Sequence, residues 1–284
     1  MNIKAMRYFG CHVSAAGGLV NAVYNGEALG VNSIQIHPTP PQRWNRQPFA
    51  ADVEKEFLIK LPTSGIQKVF FHGIYLINLA SPDKEKVKQG VQSLKFYLDL
   101  MERIDGAGVI FHVGSNKDQE LESVGLEQAT AAINRVFREL PGKSLLLLEV
   151  SAGSGKVIGA RMEDLREIYD GIENKDRVGF ALDTQHMWAS GYDIKDDCAG
   201  VVSEIDAVFG ADRVHIIHLN DSKSDLGSRI DRHENLGQGK IGLDALREFI
   251  NNPKLKHIPV ILETPAMKDL ESAKAEVQVL REII

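Results

Sequence analysis

Eight short runs rich in Val, Ile, Leu and Phe recur along this chain of 284 residues, and each is followed by a turn and a longer segment. In segments such as 87–101 and 126–140, apolar residues recur every three or four positions, which predicts helices with one buried face. Eight strands alternating with helices at this length favour a closed (β/α)8 TIM barrel over an open doubly wound sheet, which usually has fewer strands. The predicted strands are Arg7–Ser14, Val31–Pro38, Lys68–Gly73, Gly108–Gly114, Ser144–Ser151, Val178–Thr184, Val214–Asp221 and Pro259–Pro265.

No linker, low-complexity tract or charge block interrupts this rhythm, so we expect residues 1–284 to form a single domain. No apolar run approaches the roughly 20 residues of a membrane span, and the start of the chain lacks the apolar stretch of a signal peptide. We therefore expect a cytoplasmic protein in which Cys11 and Cys198 are free, reduced thiols. The formal net charge of −6 argues against a protein that coats nucleic acid nonspecifically.

Potential metal ligands stand at the ends of six consecutive predicted strands. In a barrel the C-terminal ends of all strands converge on one mouth, so residues distant in sequence face a common cavity. Two further candidates follow the seventh strand, in a loop expected to overhang the same mouth. The nine candidates are His72, His112, Glu149, Asp183, His186, His218, Asp231, His233 and Glu263.

A single His or Glu at a strand end often caps a helix or hydrogen-bonds a loop. Nine together, four of them carboxylates, would repel one another and carry a large desolvation cost unless cations neutralised them. Imidazole nitrogen with carboxylate oxygen, and no thiolate, suits zinc, manganese or iron better than a Cys-based structural site or an all-oxygen calcium site. The residues alone therefore predict a multinuclear metal site at the barrel mouth.

The other histidines receive different interpretations. His12 ends the first strand at the mouth, where it could support a ligand or contact a phosphate. His37 begins a proline-rich loop, and a structural role is favoured. His215 has the opposite strand parity from His218, so it should point away from the barrel interior. His257 precedes the eighth strand at the other end of the barrel and is expected at the surface.

Three segments of the chain resemble the endonuclease IV family of AP endonucleases, and they occur in the family's order. They are Cys11–Gly18, His72–Ala80 and Ile217–His233, the last being the most specific, and the resemblance runs from about Arg7 to about Thr264. It implies a zinc-dependent AP endonuclease of base excision repair. Such an enzyme cuts the phosphodiester 5′ to an abasic site in duplex DNA and leaves a 3′-hydroxyl and a 5′-deoxyribose phosphate.

The resemblance also divides the nine ligands among three zinc ions per chain, with manganese or iron as an alternative at one site. It implies a first ion held by His72, His112 and Glu149, a second by Glu149, Asp183, His218 and Glu263, and a third by His186, Asp231 and His233. Glu149 would bridge the first two ions, and Glu263 would orient the water that zinc activates at neutral pH. These two glutamates are the implied catalytic residues.

The implied partner is damaged double-stranded DNA, which must be bent so that the abasic nucleotide flips out. In the family, the positions matching Arg43, Trp44 and Tyr75 enter the DNA. From the residues alone Trp44 would more often be a core aromatic, although Arg43 and the preceding prolines favour an exposed loop tip. Four residues fit phosphate contacts: His12, Lys223, Ser228 and Arg229. For the last three, the alternative is a loop that only contacts solvent. No membrane or obligate protein partner is implied, and a monomer suffices.

The chain departs from the family pattern beside several ligands. Glu149 is commonly followed by Asn and then Thr or Ser, and here by Val150 and Ser151. Gln185 stands where Cys is usual and Val113 where Pro is usual, and the loop of residues 36–44 also differs. No ligand is lost, but changes of this kind can shift metal affinity by about 10- to 100-fold.

Two alternative functions remain open. Sugar isomerases and epimerases of the xylose isomerase-like superfamily use the same barrel with a two-metal mouth, so fold analogy does not exclude them. A small sugar would not need the third ligand triplet or the loops that carry Arg43, Trp44 and Tyr75. A non-catalytic binder of damaged DNA would be expected to have a degraded metal centre, whereas all nine positions hold acceptable ligands.

Overall fold

The computed structural model describes residues 7–44, 51–117, 119 and 121–284. Eight parallel strands close into a barrel in the order β1-β10-β7-β6-β5-β4-β3-β2, which confirms the predicted (β/α)8 TIM barrel. They are β1 (Phe9–His12), β2 (Ser33–Ile36), β3 (Lys68–His72), β4 (Gly108–Phe111), β5 (Leu146–Glu149), β6 (Val178–Asp183), β7 (Val214–His218) and β10 (Val260–Leu262). Two further strands, β8 (Asp221–Ser222) and β9 (His233–Glu234), pair antiparallel in the loop after β7.

Helices cover the outside of the barrel, and they include the two that apolar periodicity predicted. The helices are α1 (Leu19–Leu29), α2 (Ala51–Lys60), α3 (Lys84–Arg103), α4 (Glu122–Glu139), α5 (Met162–Asp170), α6 (Thr184–Ser190), α7 (Cys198–Val208), α8 (Leu243–Asn251) and α9 (Leu270–Ile283). In α3 the buried face includes Leu94, Leu98 and Met101. Among the described residues, no helix combines the length and the apolar character needed to cross a membrane.

Successive residues of each barrel strand face two different cores. Outward-facing residues such as Phe71 and Leu148 pack under the helices in the larger core. A separate cluster fills the barrel interior, and its strand residues are Phe70, Ile110, Leu147, Ala181, Ile216 and Ile261. Two residues further along the same six chain segments, at the C-terminal mouth, come His72, His112, Glu149, Asp183, His218 and Glu263.

The first two strands follow the same alternation with smaller interior residues. Gly10 in β1 lies against β2 so closely that a Cβ would overlap the carbonyl of Ser33, so only glycine fits there. Ser33 itself is fully buried. Two residues after these interior positions come His12 and Gln35, which therefore also belong to the mouth.

The residues that were expected to lie away from the mouth do lie away from it. The ring of His215 lies over Gly179 of β6, near the end of β7 that is away from the mouth, where the pairing of β6 with β7 is irregular. His257 is exposed. Cys11 and Cys198 are both buried and form no disulfide.

Candidate metal centre

The first ligand group forms around one oxygen of Glu149, which is fully buried. Nε2 of His72 lies 3.0 Å and Nε2 of His112 lies 3.3 Å from Oε2 of this carboxylate. On the other side of the rings, Nδ1 of His72 donates to the carbonyl of Gly73 at 2.8 Å, and Nδ1 of His112 lies 3.2 Å from Oγ of Ser151. Such contacts fix an imidazole so that its second nitrogen faces a metal.

The second group forms around Nδ1 of His218. This nitrogen lies 2.8 Å from Oε1 of Glu149, 3.3 Å from Oε2 of Glu263 and 3.8 Å from Oδ2 of Asp183. The opposite ring nitrogen, Nε2, donates to Oε1 of Gln35 at 2.7 Å. Glu149 therefore offers one oxygen to the first group and the other to the second, which is the geometry that a bridging carboxylate requires.

The third group brings the Nε2 atoms of two imidazoles toward each other. Nε2 of His186 lies 3.5 Å from Nε2 of His233. Nδ1 of each ring donates to a carbonyl, of Val150 at 3.0 Å and of Glu263 at 3.2 Å respectively. With the protons on Nδ1, the two Nε2 lone pairs would repel each other unless a proton or a metal ion lies between them. Asp231 lies beside both rings, 3.6 Å from the first and 3.4 Å from the second.

Asp183 extends into this third group, which the sequence did not indicate. Its Oδ2 lies 3.8 Å from Nε2 of His233 and 3.9 Å from Nδ1 of His186. One ligand atom from each of these three residues falls within 4.8 Å of the others. The side chain of Asp231 is 57% exposed, whereas that of Asp183 is fully buried. Asp183 thus stands between the second and third groups, as Glu149 stands between the first and second.

The start of α6 explains how Asp183 and His186 come together. Oδ1 of Asp183 accepts from the backbone N–H of Gln185 at 2.7 Å and of His186 at 3.0 Å, and so caps the helix. The side chain of Asn220 donates to Oδ2 at 2.8 Å. Since His186 follows Asp183 by three residues, the first helical turn places its ring on the side of the aspartate.

The ribbon of β8 and β9 brings the two remaining ligands over the mouth. Ser222 and His233 are register partners in this ribbon, so the chain returns to the barrel after the excursion of residues 223–232. Asp231 lies in the same loop, two residues before His233. These two ligands therefore depend on a loop rather than on a barrel strand.

The charges of the site balance between carboxylates and imidazoles. Burial alone would raise the pKa of Glu149 and of Glu263, but neighbouring imidazoles hold both well below the usual range. Burial lowers the pKa of His112 to about 4. For His218 burial also favours the neutral ring, but the carboxylates of Glu263 and Glu149 raise its pKa to about 9. Burial would also raise the pKa of Asp231, but its contact with the His186 ring lowers that pKa to about 2.

These residues fit divalent cations. Anionic carboxylates converge with imidazole nitrogens that other contacts orient inward, and a bound cation can replace the protons that the imidazoles otherwise hold. Cys11 and Cys198 lie in the hydrophobic core and not in any of the three groups. The described residues thus contain three nitrogen- and oxygen-lined groups able to hold a metal ion.

Two amide side chains that sequence reasoning missed lie within the site. Asn220 links Asp183 to the backbone N–H of Glu263, which donates to its Oδ1 at 3.0 Å. Gln35 contacts His218 and Glu263. Neither amide is among the His, Asp and Glu side chains that usually bind such metals, and the signal for Gln35 is its position two residues after the interior residue Ser33.

Two cavities meet at the metal centre. The smaller has a volume of about 280 Å³ and the larger about 1310 Å³. Both are lined by His72, Tyr75, His112, His186 and Asp231. Four candidate ligands of the first and third groups therefore border both cavities.

The residues expected to enter DNA take different positions. Tyr75 is 66% exposed and lines both cavities, and Arg43 is exposed. Trp44 is half-buried and packs against the core rather than standing fully exposed. The reason is that burial of the large indole is favourable wherever the core edge is within reach.

The residues expected to contact phosphates are also divided. His12 and Lys223 line the larger cavity. Nδ1 of His12 lies 3.2 Å from Oε1 of Glu263, and Nζ of Lys223 lies 3.4 Å from a carboxylate oxygen of Glu234. The other two candidates, Ser228 and Arg229, line neither cavity.

Known proteins are similar to this chain in sequence and in architecture. Residues 23–283 match the family model described as xylose isomerase-like TIM barrel. A probable endonuclease 4 of Chloroflexus aggregans is 34% identical, over 98% of this chain and 98% of that protein. The chain belongs to the endonuclease IV family. It is therefore a nuclease, that is, a phosphodiester hydrolase.

Further comparisons agree with this membership. The nuclease superposes on the crystal structure of endonuclease IV from Thermus thermophilus with a TM-score of 0.87 and 32% identity, covering 97% of this chain and 98% of that one. The apurinic-apyrimidinic endonuclease 1 of Plasmodium falciparum is 36% identical over 95% of this chain, which spans 46% of that protein.

Sugar epimerases resemble the nuclease in fold only. A D-tagatose 3-epimerase-like protein superposes with a TM-score of 0.75 at 17% identity, covering 97% of this chain and 96% of that one. A likeness at this identity shows the shared barrel and no more.

Proposed function

We propose that this nuclease cuts the phosphodiester 5′ to an abasic site in duplex DNA, leaving a 3′-hydroxyl and a 5′-deoxyribose phosphate, as a step of base excision repair in the cytoplasm. We propose further that its three ligand groups hold zinc, with manganese or iron as an alternative at one of them. One observation carries the proposal: two carboxylates, Glu149 and Asp183, each stand between adjacent ligand groups, so the three groups form one continuous cluster whose residues would hold the metal.

Closely spaced zinc ions, when bound, supply an activated water at neutral pH and positive charge for both the attacking and the leaving oxygen of an in-line displacement. The chain's own residues orient the reaction. Glu263 has 17% of its side chain exposed, so it reaches the substrate side of the centre. Its Oε2 faces the second group, where it can hold a water by hydrogen bonding and accept a proton.

The lining and volumes of the two cavities support the proposal that the substrate is duplex DNA with one nucleotide flipped out of the helix. The larger cavity runs from the loop after β1 to the loop before α9, and its lining includes Lys223, Arg232 and Lys268, whose charges suit phosphates. The smaller cavity opens beside His112 and Asp231, and we infer that it receives the flipped sugar. Tyr75 borders both cavities and is the residue best placed to fill the gap left in the base stack.

The Plasmodium relative is an apurinic-apyrimidinic endonuclease, which supports this choice of lesion. The third ligand group also supports it, because a two-metal sugar enzyme has no use for a third site. A non-catalytic binder is disfavoured by the convergence of all nine predicted ligands on one mouth.

The test combines metal analysis with an incision assay. We expect three metals per chain by mass spectrometry, and cleavage of a duplex carrying one tetrahydrofuran abasic analogue at a site that leaves a polymerase-extendable 3′ end. Chelation should abolish cleavage and added zinc should restore it, while an undamaged duplex of the same sequence stays intact. Protein that carries three metals and leaves the abasic duplex uncut would refute the proposal.

A further inference from the structure

Gln35 occupies the one mouth position of the barrel that holds an amide. It is fully buried at the end of β2 and follows the interior residue Ser33 by two positions. On six other chain segments the equivalent position holds an imidazole or carboxylate of the three ligand groups. On β1 it holds His12, the register partner of Gln35. The amide is therefore placed by the strand pleat to face the centre.

The two ends of the Gln35 amide contact two different ligands of the second group. Oε1 accepts a hydrogen bond from Nε2 of His218 at 2.7 Å. Nε2 donates to Oε1 of Glu263 at 2.5 Å, and it lies 3.0 Å from Nδ1 of His12. One rigid planar group thus spans an imidazole and a carboxylate.

Only one orientation of this amide satisfies both contacts. Nδ1 of His218 faces three carboxylates and is the nitrogen that would coordinate a metal, so the ring proton belongs on Nε2. That proton requires an acceptor, which is the amide oxygen of Gln35. The amide nitrogen then points at Glu263. Rotating the amide by half a turn would set N–H against N–H and oxygen against carboxylate.

We propose that Gln35 is a positioning residue of the nuclease, and the inference rests on the proposed function. Its oxygen holds His218 in the tautomer whose Nδ1 lone pair faces the second metal group. Its nitrogen holds one oxygen of Glu263 by a charge-assisted hydrogen bond, so the other oxygen stays turned toward that group. Fixing the carboxylate in this way keeps the water-orienting atom in place for the displacement.

The two roles can be separated by substitution. Gln35→Met keeps the length of the side chain and removes both the acceptor and the donor. Gln35→Glu keeps an acceptor for His218 but removes the donor and sets a second carboxylate against Glu263. The acceptor role therefore predicts loss of metal in the first variant only, and the donor role predicts loss of turnover in both.

The experiment measures zinc affinity by competition with a chromogenic chelator, and kcat and KM on the abasic duplex. For Gln35→Met we expect the second zinc to bind about 10- to 100-fold more weakly. For Gln35→Glu we expect zinc affinity at or above that of the natural chain, with kcat reduced about 100-fold or more and KM little changed. Gln128→Met is the control, because that amide donates to the carbonyls of Leu79 and Ser81.

Unchanged zinc affinity in Gln35→Met, or unchanged kcat in Gln35→Glu, would overturn the proposal. A melting temperature of metal-free Gln35→Met far below that of the Gln128→Met control would mean that the fold itself is damaged. In that case the kcat of Gln35→Glu alone tests the proposal, because this variant preserves the buried polar contact to His218. Failure of the proposed function remains distinguishable: an unmodified chain that does not cut abasic DNA refutes that function, while the zinc competition still tests Gln35.

Discussion

Nε2 of Gln185 donates to the carbonyl oxygen of Ile230 at 3.0 Å, and so ties α6 to the residue that directly precedes Asp231. The same nitrogen lies 3.4 Å from the hydroxyl oxygens of Ser222 and Ser224. Gln185 stands where the family usually has Cys. Because it is long enough to reach across to the loop, this departure adds an anchor to the loop that carries the third ligand group.

Gln185→Ala should therefore loosen that loop and weaken the third metal site. We expect about a 10- to 100-fold loss of affinity for one metal of the three. The measurement is metal content by mass spectrometry after dialysis against a weak chelator, with Gln128→Ala treated in parallel. Retention of the full metal complement by the Gln185 variant would show that Gln185 does not hold the site.

Glu263→Gln should separate cleavage from binding. The amide cannot accept the proton of the attacking water, so single-turnover cleavage of an abasic duplex should fall by roughly 10²- to 10⁴-fold. Fluorescence anisotropy should show retained affinity for the same duplex, and metal content should be recorded for both proteins. Glu271→Gln, at an exposed position that pairs with Lys274, is the matched control. Near-normal turnover in Glu263→Gln would remove Glu263 from the reaction.

Two histidines of β7 provide a test of which ring contributes to the metal centre. His218→Asn should lose metal from the second group and leave the buried carboxylates of Glu149 and Asp183 without their imidazole, at a cost of about 3–5 kcal/mol in the free energy of unfolding. His215→Asn changes a ring that lies over Gly179, near the end of β7 that is away from the mouth, and should leave metal content unaltered. Metal analysis and urea unfolding compare the two. Equal metal loss in both variants would contradict this placement of the two rings.

Tyr75 and Trp44 should behave differently when each is replaced by alanine. Tyr75 is 66% exposed, so Tyr75→Ala should weaken binding to abasic duplex while changing the free energy of unfolding by less than about 0.5 kcal/mol. Trp44 packs against the core, so Trp44→Ala should cost about 1–3 kcal/mol. Anisotropy and urea unfolding separate the two effects. A large stability loss in Tyr75→Ala would mean that its ring is not free to enter DNA.

Cys198 should be protected from thiol reagents at neutral pH. Burial raises its pKa to about 11, and nearby acidic groups, Glu248 first, act in the same direction. At pH 8 roughly one thiol in a thousand would be thiolate. Burial also raises the pKa of Cys11. Titration with a chromogenic disulfide should therefore count two thiols in denaturant and almost none in the folded protein.

The same shift makes a prediction about stability. Because the folded pKa of Cys198 exceeds its unfolded value of about 9, the unfolded state releases its proton first as pH rises. This contribution to stability is complete below pH 9 and falls between pH 9 and about 11. Cys198→Ser should flatten the decline over that interval, and an unchanged pH profile would contradict the assignment.

Strand periodicity was enough to predict much of the site. His72, His112, Glu149, Asp183, His218 and Glu263 could be assigned to one mouth because each stands at the C-terminal end of a predicted strand. Asp231 and His233 lie on a ribbon outside the barrel, so local periodicity gives no direction for their side chains. Their grouping with His186 depended on the family resemblance.

Other features required the coordinates. The sequence around Trp44 is compatible with an exposed indole and with a packed one, and only the position of the neighbouring core shows that the indole packs. Gln35 and Asn220 carry amides, which are common throughout proteins, so only distances to the ligands show what they do.

The sequence by itself determined the barrel and the inward direction of its ligands, because the alternation of side chains along a strand is a local property of the backbone. Only the tertiary structure decided which candidate ligand atoms lie together and which amides contact them. Gln35 and His218 are 183 residues apart and meet because closure of the barrel brings the ends of β2 and β7 to the same mouth. Asp183 reaches the third group for the same reason, since the ribbon after β7 folds back over the end of β6.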